Sequence, residues 1–131
     1  MTTLVMGLPG AGKTTYVRRH LGDGLCYDFD YLSAALRLCE LKSESQHAAI
    51  GMANWLLDAF CEAAPFHAQD VFVIRTAPTA PELRRIRPDR AVIVKHRGAR
   101  RSPNAEALIR RIVDAEEMLR ASGCPVKVVE W

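Results

Sequence analysis

The residues with the clearest chemistry form a glycine-rich stretch near the start of the chain. Residues 7–14, here called the glycine loop, read Gly-Leu-Pro-Gly-Ala-Gly-Lys-Thr. They match the pattern Gly-x-x-x-x-Gly-Lys-Ser/Thr, the P-loop, whose backbone N–H groups cradle phosphates. The pattern specifies four positions, so chance would produce it somewhere in a chain of this length in roughly 1% of cases or fewer. The glycine loop therefore predicts binding of a nucleoside triphosphate, with Mg²⁺.

Each residue type in the glycine loop has a physical reason. Glycines let successive N–H groups turn toward an anion, and the N-terminus of a following helix adds partial positive charge. We expect Lys13 to reach the β- and γ-phosphates, Thr14 to be a Mg²⁺ ligand and Thr15 to contact the α-phosphate. The predicted nucleotide-binding residues are Gly7, Pro9, Gly10, Ala11, Gly12, Lys13, Thr14 and Thr15. A dinucleotide-binding fingerprint has a different glycine spacing and lacks the lysine.

Two acids follow the second apolar run of the chain. Asp28 and Asp30 come directly after a short strand pattern at residues 25–27, and ligands of open α/β sheets bind at the carboxyl ends of strands. One carboxylate there can hold Mg²⁺ and the other can accept a proton from an attacking hydroxyl. The alternative is that Asp28 is a loop acid and Asp30 caps the next helix.

The hydrophobic pattern predicts strands alternating with helices. The strand patterns are residues 2–6, 25–27, 71–74, 91–94 and 126–129. The helix patterns are residues 13–21, 31–39, a segment from about Ser43 to before Pro65, a short helix capped by Thr79 and Glu82, and a long helix starting at Ser102 and Pro103. Parallel strands need crossover connections, which helices supply, so the sequence predicts a doubly wound five-stranded parallel α/β sheet.

Length and composition are those of one ordinary globular domain. The chain has 131 residues, 49% hydrophobic and 25% charged, which predicts a single domain over residues 1–131. Neither a membrane-spanning run nor an export leader is evident, so we expect a cytoplasmic protein. We also expect a monomer or weak dimer. The cysteines lack the close spacing of metal or redox motifs and are expected to be reduced thiols. Among the aromatic residues, Trp55 is expected in the core, and Trp131 either stacks on a base or packs on the sheet edge.

The glycine loop, followed by Tyr27-Asp28-Phe29-Asp30, resembles the small P-loop kinases related to shikimate, gluconate, adenylate and polynucleotide kinases. The likeness covers most of the chain. It implies the strand order 2-3-1-4-5 and ATP and Mg²⁺ as ligands. In such kinases the first Asp of an Asp-x-Asp segment helps to bind Mg²⁺ and the second contacts the acceptor. By resemblance, Asp28 is a metal ligand and Asp30 the catalytic base.

The resemblance also implies an arginine-bearing lid between the fourth strand and the next helix. That position here holds residues 96–101, in which Arg97, Arg100 and Arg101 are candidates for stabilising the transferred phosphoryl group. Arg97 and Arg101 are therefore named, with Lys13 and Asp30, as catalytic candidates. A basic loop leading into a helix is the alternative.

The chain departs from these kinases in three places. The lid is short, and the third strand is followed by Arg75 and Thr76 rather than by a carboxylate of the Walker B type. The sequence ends at Trp131, directly after the fifth predicted strand, so we expect base recognition to be weak or built differently. The segment from Arg75 to Pro78, with Glu82, Arg84 and Arg85, also resembles small phage or prophage P-loop proteins of unassigned activity.

Two functions remain open from the sequence. The first is an ATP-dependent phosphotransferase, whose acceptor is a small molecule or a nucleic-acid hydroxyl. The second is a nucleotide-binding module or slow ATPase acting with a nucleic-acid-processing partner. Residues 75–101 carry nine Lys or Arg against two acids, Glu82 and Asp89, and in the second case this basic segment would face nucleic acid or a partner.

Overall fold

A computed structural model describes residues 1–38, 47–97 and 103–130 of the chain. Strands and helices alternate, apart from two successive helices between the second and third strands. In chain order the elements are β1 Thr2–Met6, α1 Lys13–His20, β2 Leu25–Asp28, α2 Phe29–Arg37, α3 His47–Ala63, a 3₁₀ turn Ala64–Phe66, β3 Val71–Ile74, α4 Ala80–Ile86, β4 Arg90–Lys95, α5 Ala105–Ala121 and β5 Val126–Glu130.

The five strands form one parallel sheet in the order β2-β3-β1-β4-β5. The predicted α/β class and strand order are confirmed. The central strand β1 pairs with β3 on one side, where Leu4 lies opposite Val73, and with β4 on the other, where Val5 lies opposite Val92. The apolar side chains of these three strands are buried, as expected for a parallel sheet covered on both faces.

Each face of the sheet has its own apolar cluster. Strand residues such as Leu4, Val73 and Ile93 pack with Leu57 of α3 and Ile112 of α5. On the opposite face, α1 covers the sheet through side chains that include Tyr16 and Val17. The carboxyl ends of all the strands meet at one edge, where the glycine loop and both predicted acids lie.

Local sequence signals account for the ends of several elements. Thr79 caps α4, because its hydroxyl accepts a hydrogen bond from the backbone N–H of Glu82 at 3.3 Å, as the predicted capping box requires. Asp28 caps α2 by accepting from the N–H of Asp30 at 3.0 Å. The helix therefore begins at Phe29, two residues before the start predicted from the sequence.

The expected burial of Trp55 is wrong, since this residue is 66% exposed. Ala49, Ala53 and Leu57 form the buried face of α3, and they are spaced by four residues. Trp55 lies two residues from both Ala53 and Leu57, which places it on the opposite side of the helix.

Some predictions fall outside the described residues. They are the helix starts near Ser43 and at Ser102, and the two positions proposed for Trp131. Within residues 1–38, 47–97 and 103–130, no helix is long and apolar enough to cross a membrane.

Candidate functional site

The glycine loop joins β1 to α1 and is tightly constrained at two of its glycines. A Cβ on Gly7 would lie 2.5 Å from the backbone oxygen of Val94 in the neighbouring strand β4. Gly12 is the N-cap residue of α1 and has φ 96°, in the left-handed region that favours glycine. A side chain at either position would therefore displace the loop or strain its backbone.

Lys13 reaches back over the loop that precedes it. Its Nζ donates hydrogen bonds to the backbone oxygens of Gly7 at 2.9 Å and Leu8 at 3.0 Å. Burial lowers the pKa of Lys13 below its ordinary value, while the charges of Asp30 and Asp28 act in the opposite direction. The lysine is thus a partly desolvated cation within the electrostatic reach of both acids.

Thr14 and Asp28 are brought together across the site. The Thr14 hydroxyl donates to Oδ2 of Asp28 at 3.1 Å, while Oδ1 of the same carboxylate caps α2. Both side chains offer the hard oxygen ligands that Mg²⁺ prefers. No group of three or more His, Cys, Asp or Glu that could hold a metal occurs in the described part of the chain. The Thr14 and Asp28 pair fits Mg²⁺, which commonly takes only one or two protein ligands and completes its shell with water and phosphate oxygens.

Asp30 lies in the first turn of α2 and is exposed. It does not cap the helix, because that position belongs to Asp28. The alternative in which Asp30 is a helix cap is therefore wrong, and its carboxylate is available for another role. Asp30 is also the charge with the larger effect on Lys13 of the two acids.

One cavity of about 690 Å³ at the carboxyl edge of the sheet collects these residues. Its walls come from the glycine loop, the junction of β2 with α2, the end of β3 and one side of α5. The lining residues are Pro9, Gly10, Gly12, Lys13, Thr14, Thr15, Asp28, Phe29, Asp30, Ile74, Arg75, Thr76, Ala77, Leu108 and Arg111. The cavity thus joins most of the predicted nucleotide-binding residues to both predicted acids.

Two arginines in this cavity were not assigned to the site from the sequence. Arg75 follows β3 and forms an ion pair with Glu82 at 2.7 Å, with side chains 19% and 14% exposed. Its guanidinium also lies over the ring of Phe29, 5.5 Å from the centroid. Arg111 of α5 donates to the backbone oxygen of Ala77 at 2.9 Å. Leu108, about one turn earlier on the same side of α5, lines the cavity too.

The predicted lid residue Arg97 lies elsewhere. It pairs with Glu130 at 3.2 Å and lines a different cavity, of about 520 Å³, beside the end of β4 and one side of α5. Its side chain is 79% exposed. Arg100 and Arg101 fall outside the described residues, so the catalytic roles predicted for Arg97 and Arg101 stay predictions.

An apolar cavity of about 710 Å³ adjoins the site on the β2 side. It shares Thr14, Asp28 and Ile74 with the first cavity and extends between α1, α2 and α3. Its walls include Tyr31 and Phe60. A ligand bound over the acids therefore has apolar surface within reach.

No family model and no curated protein matches the chain. Among solved structures, it is similar to the unliganded crystal structure of a sugar kinase from Janibacter sp. HTCC2649. The identity is 12%, the match covers 98% of this chain and 84% of the sugar kinase chain, and the TM-score is 0.49. A likeness this distant carries no argument about activity or substrate.

Proposed function

We propose that this chain is a P-loop phosphotransferase, a single domain over residues 1–131, that moves the γ-phosphoryl group of ATP to the hydroxyl of an acceptor. The observation that carries the proposal is the single cavity lined by Lys13, Thr14, Asp28 and Asp30. A phosphate-binding loop, a pair of metal-binding oxygens and a free carboxylate are the parts that phosphoryl transfer needs.

The glycine loop binds the triphosphate through its backbone N–H groups and the N-terminus of α1. Lys13 exchanges its present acceptors, the carbonyls of Gly7 and Leu8, for phosphate oxygens. Thr14 and Asp28 would hold Mg²⁺, which would offset charge on the phosphate oxygens. Asp28 is already fixed for this role, because the cap of α2 restrains its carboxylate.

Asp30 accepts the proton of the acceptor hydroxyl. As the acceptor oxygen forms its bond to the γ-phosphorus, the bond to the bridging oxygen breaks and ADP leaves. Asp30 is exposed at the cavity wall and makes no cap bond, so it is free to receive that proton. Arg97 and Arg101 are proposed, as the resemblance implies, to offset charge on the transferred phosphoryl group.

A nucleotide-binding module or slow ATPase is the second candidate. Arg75 favours this candidate, because it follows β3 at the position where a Walker B carboxylate would lie. Arg75 is also ion-paired with Glu82. The positions of the basic residues in the segment 75–101 do not support a single nucleic-acid-binding surface. Arg75 lies at the carboxyl edge of the sheet, whereas Arg90, at the start of β4, bonds to Thr3 toward the opposite edge.

Product analysis separates the two candidates. The protein is incubated with γ-labelled ATP, Mg²⁺ and a panel of small hydroxylated acceptors and nucleic-acid 5′ ends. The proposal predicts one ADP for each phosphorylated acceptor, and much slower formation of both products in Asp30→Asn. Release of label only as free phosphate, at a rate that no acceptor changes, would assign the chain to the second candidate.

A further inference from the structure

We propose that the acceptor of the phosphoryl group is an uncharged hydroxyl compound with an apolar ring body, and that this body lies in the apolar cavity between α1, α2 and α3. The inference rests on the proposed phosphoryl transfer and names the class of its acceptor. It begins from the contrast between two adjoining cavities. One collects the predicted phosphate and metal groups, and the other has mostly apolar walls.

The apolar cavity adjoins the site beside the two acids. Thr14, Asp28 and Ile74 line both cavities. The first turn of α2 passes from one cavity to the other, because Asp30 lines the first and the next residue, Tyr31, lines the apolar one. A ring body held against α2 therefore brings a hydroxyl on the same molecule within reach of Asp30. There the hydroxyl oxygen forms its bond to the γ-phosphorus, its proton passes to Asp30 and ADP leaves.

The size and the walls of the apolar cavity suit a ring. Its volume is about 710 Å³, within the range of about 300–1,000 Å³ that is typical of small-molecule sites. The aromatic rings of Tyr31 and Phe60 come from α2 and α3, and the aliphatic side chains of Val17 and Leu21 come from α1. Such walls bind a ligand by removing apolar surface from water. A ring has that surface, whereas a short polyol has little of it.

The polar groups in these walls are already bonded or neutral. The hydroxyl of Tyr27 donates to the backbone oxygen of Ala53, and the hydroxyl of Thr14 donates to Asp28. Burial, with a smaller contribution from the charge of Asp28, raises the pKa of Cys26 to about 12, so its thiol stays uncharged. A charged group on the acceptor would lose hydration in this cavity without gaining a partner there. The walls therefore favour an uncharged body.

Arg18 is the only cation among the described residues that line the apolar cavity. Its guanidinium donates to the hydroxyl of Tyr31 at 2.7 Å and lies 5.7 Å from the centroid of the Tyr31 ring. Both side chains are exposed, so the contact joins α1 to α2 at the surface. The charge of Arg18 thus remains in water while its stem covers apolar surface.

The test compares three alcohols that share a primary hydroxyl. They are 2-naphthylmethanol, with a neutral ring body, 6-(hydroxymethyl)-2-naphthoate, with a carboxylate on the same body, and glycerol, with no ring. The full chain is first saturated with a non-hydrolysable ATP analogue and Mg²⁺, and ligand-observed NMR titration then measures the affinity for each alcohol.

We expect 2-naphthylmethanol to bind at least tenfold more tightly than glycerol, because about 55 Å² of additional buried apolar surface is enough for a tenfold gain. It should also bind at least tenfold more tightly than the naphthoate, whose carboxylate loses hydration. With γ-labelled ATP in place of the analogue, label should enter naphthylmethyl phosphate faster than glycerol phosphate at equal alcohol concentrations.

Substitutions that fill the apolar cavity assign the binding to it. Ala59 of α3 lines the cavity, and Ala59→Trp should weaken 2-naphthylmethanol at least tenfold and leave the affinity for the ATP analogue unchanged. Ala35→Trp fills the cavity from α2 and should have the same effect, so a folding defect in one variant leaves the other as a test. Ala63→Trp is the matched control, because Ala63 is exposed one turn after Ala59 and does not line the cavity.

The outcomes separate this inference from the proposed function. If 2-naphthylmethanol binds no more tightly than glycerol or the naphthoate, the inference fails, and transfer of label to another acceptor would keep the proposed function. Equal affinity in the two filled variants and in Ala63→Trp would also overturn the inference. If 2-naphthylmethanol binds in the cavity but no label passes from ATP to any acceptor, the proposed function fails, and the acceptor role of the cavity fails with it.

Discussion

Substitution of Lys13 by alanine tests the assignment of the glycine loop. In the free protein, Lys13 contacts two backbone oxygens, and burial lowers its pKa. Its replacement removes a partly desolvated cation, which favours folding, but it also leaves two backbone oxygens without their donor, which opposes folding. Because these effects offset each other, we expect the free energy of unfolding to change by only about 1 kcal/mol.

The effect on binding should be much larger. A hydrogen bond to a charged group contributes about 1.5–3 kcal/mol, and about 1.4 kcal/mol corresponds to a tenfold change in affinity. Lys13→Ala should thus weaken a non-hydrolysable ATP analogue by roughly 10- to 150-fold. The loop N–H groups remain in the variant, so some affinity persists.

Isothermal titration calorimetry with saturating Mg²⁺ measures this change, and thermal unfolding shows that each variant is folded. Lys127→Ala is the matched control, because it removes the same side chain from an exposed position on β5. If folded Lys13→Ala and Lys127→Ala bind the analogue equally well, Lys13 does not contact the phosphates and the glycine loop is only a helix-capping turn.

The other predictions follow from the same cavity. Asp28→Asn should keep the cap on α2, since Asn caps as well as Asp, but it should weaken the Mg²⁺-dependent part of analogue binding. If the variant and the wild-type chain show equal Mg²⁺ dependence, Asp28 is not part of the metal site. Asp30→Asn should leave analogue affinity unchanged and slow transfer by about 10²–10⁴-fold; an effect on melting temperature alone would give it a structural role. Analogue affinity should fall as pH rises through the lowered pKa of Lys13, because the deprotonated amine no longer attracts phosphate. This decline should begin below pH 10.5 and should be absent in Lys13→Ala. A decline that persists in Lys13→Ala would show that another group is responsible. Crystals grown without nucleotide in high sulfate should hold an anion against the N–H groups of the glycine loop, and an ordered but empty loop would count against that assignment.

The sheet was predictable because its signals are local or follow from the resemblance. Apolar runs such as Val71–Ile74 have the length of buried strands, and glycines and prolines separate them from helices. The capping of α4 by Thr79 and Glu82 is likewise a local pattern of four residues. The strand order came from the resemblance, and the pairing of β1 with both β3 and β4 confirms it.

The site was only partly predictable, because the part around Arg75 and Arg111 depends on contacts between residues that are distant in sequence. Asp28 lies next to Thr14 because β2 ends at the edge of the sheet where α1 begins, as the positions of the two motifs predict. Arg111 reaches Ala77 across a separation of 34 residues, through the packing of α5 on the sheet. Glu82 was visible as a cap, but its ion pair with Arg75 depends on how α4 folds back beside β3. No sequence pattern specified these contacts.

The most direct test of phosphoryl transfer follows the label itself. The protein is incubated with γ-labelled ATP, Mg²⁺ and a pool of small hydroxylated metabolites that includes anionic members, alongside Lys13→Ala and Asp30→Asn. The proposed function predicts that label enters an organic product in step with ADP formation, and that both substitutions abolish or strongly slow this. Label that appears only as free phosphate, at the same rate with and without the metabolite pool, would contradict it.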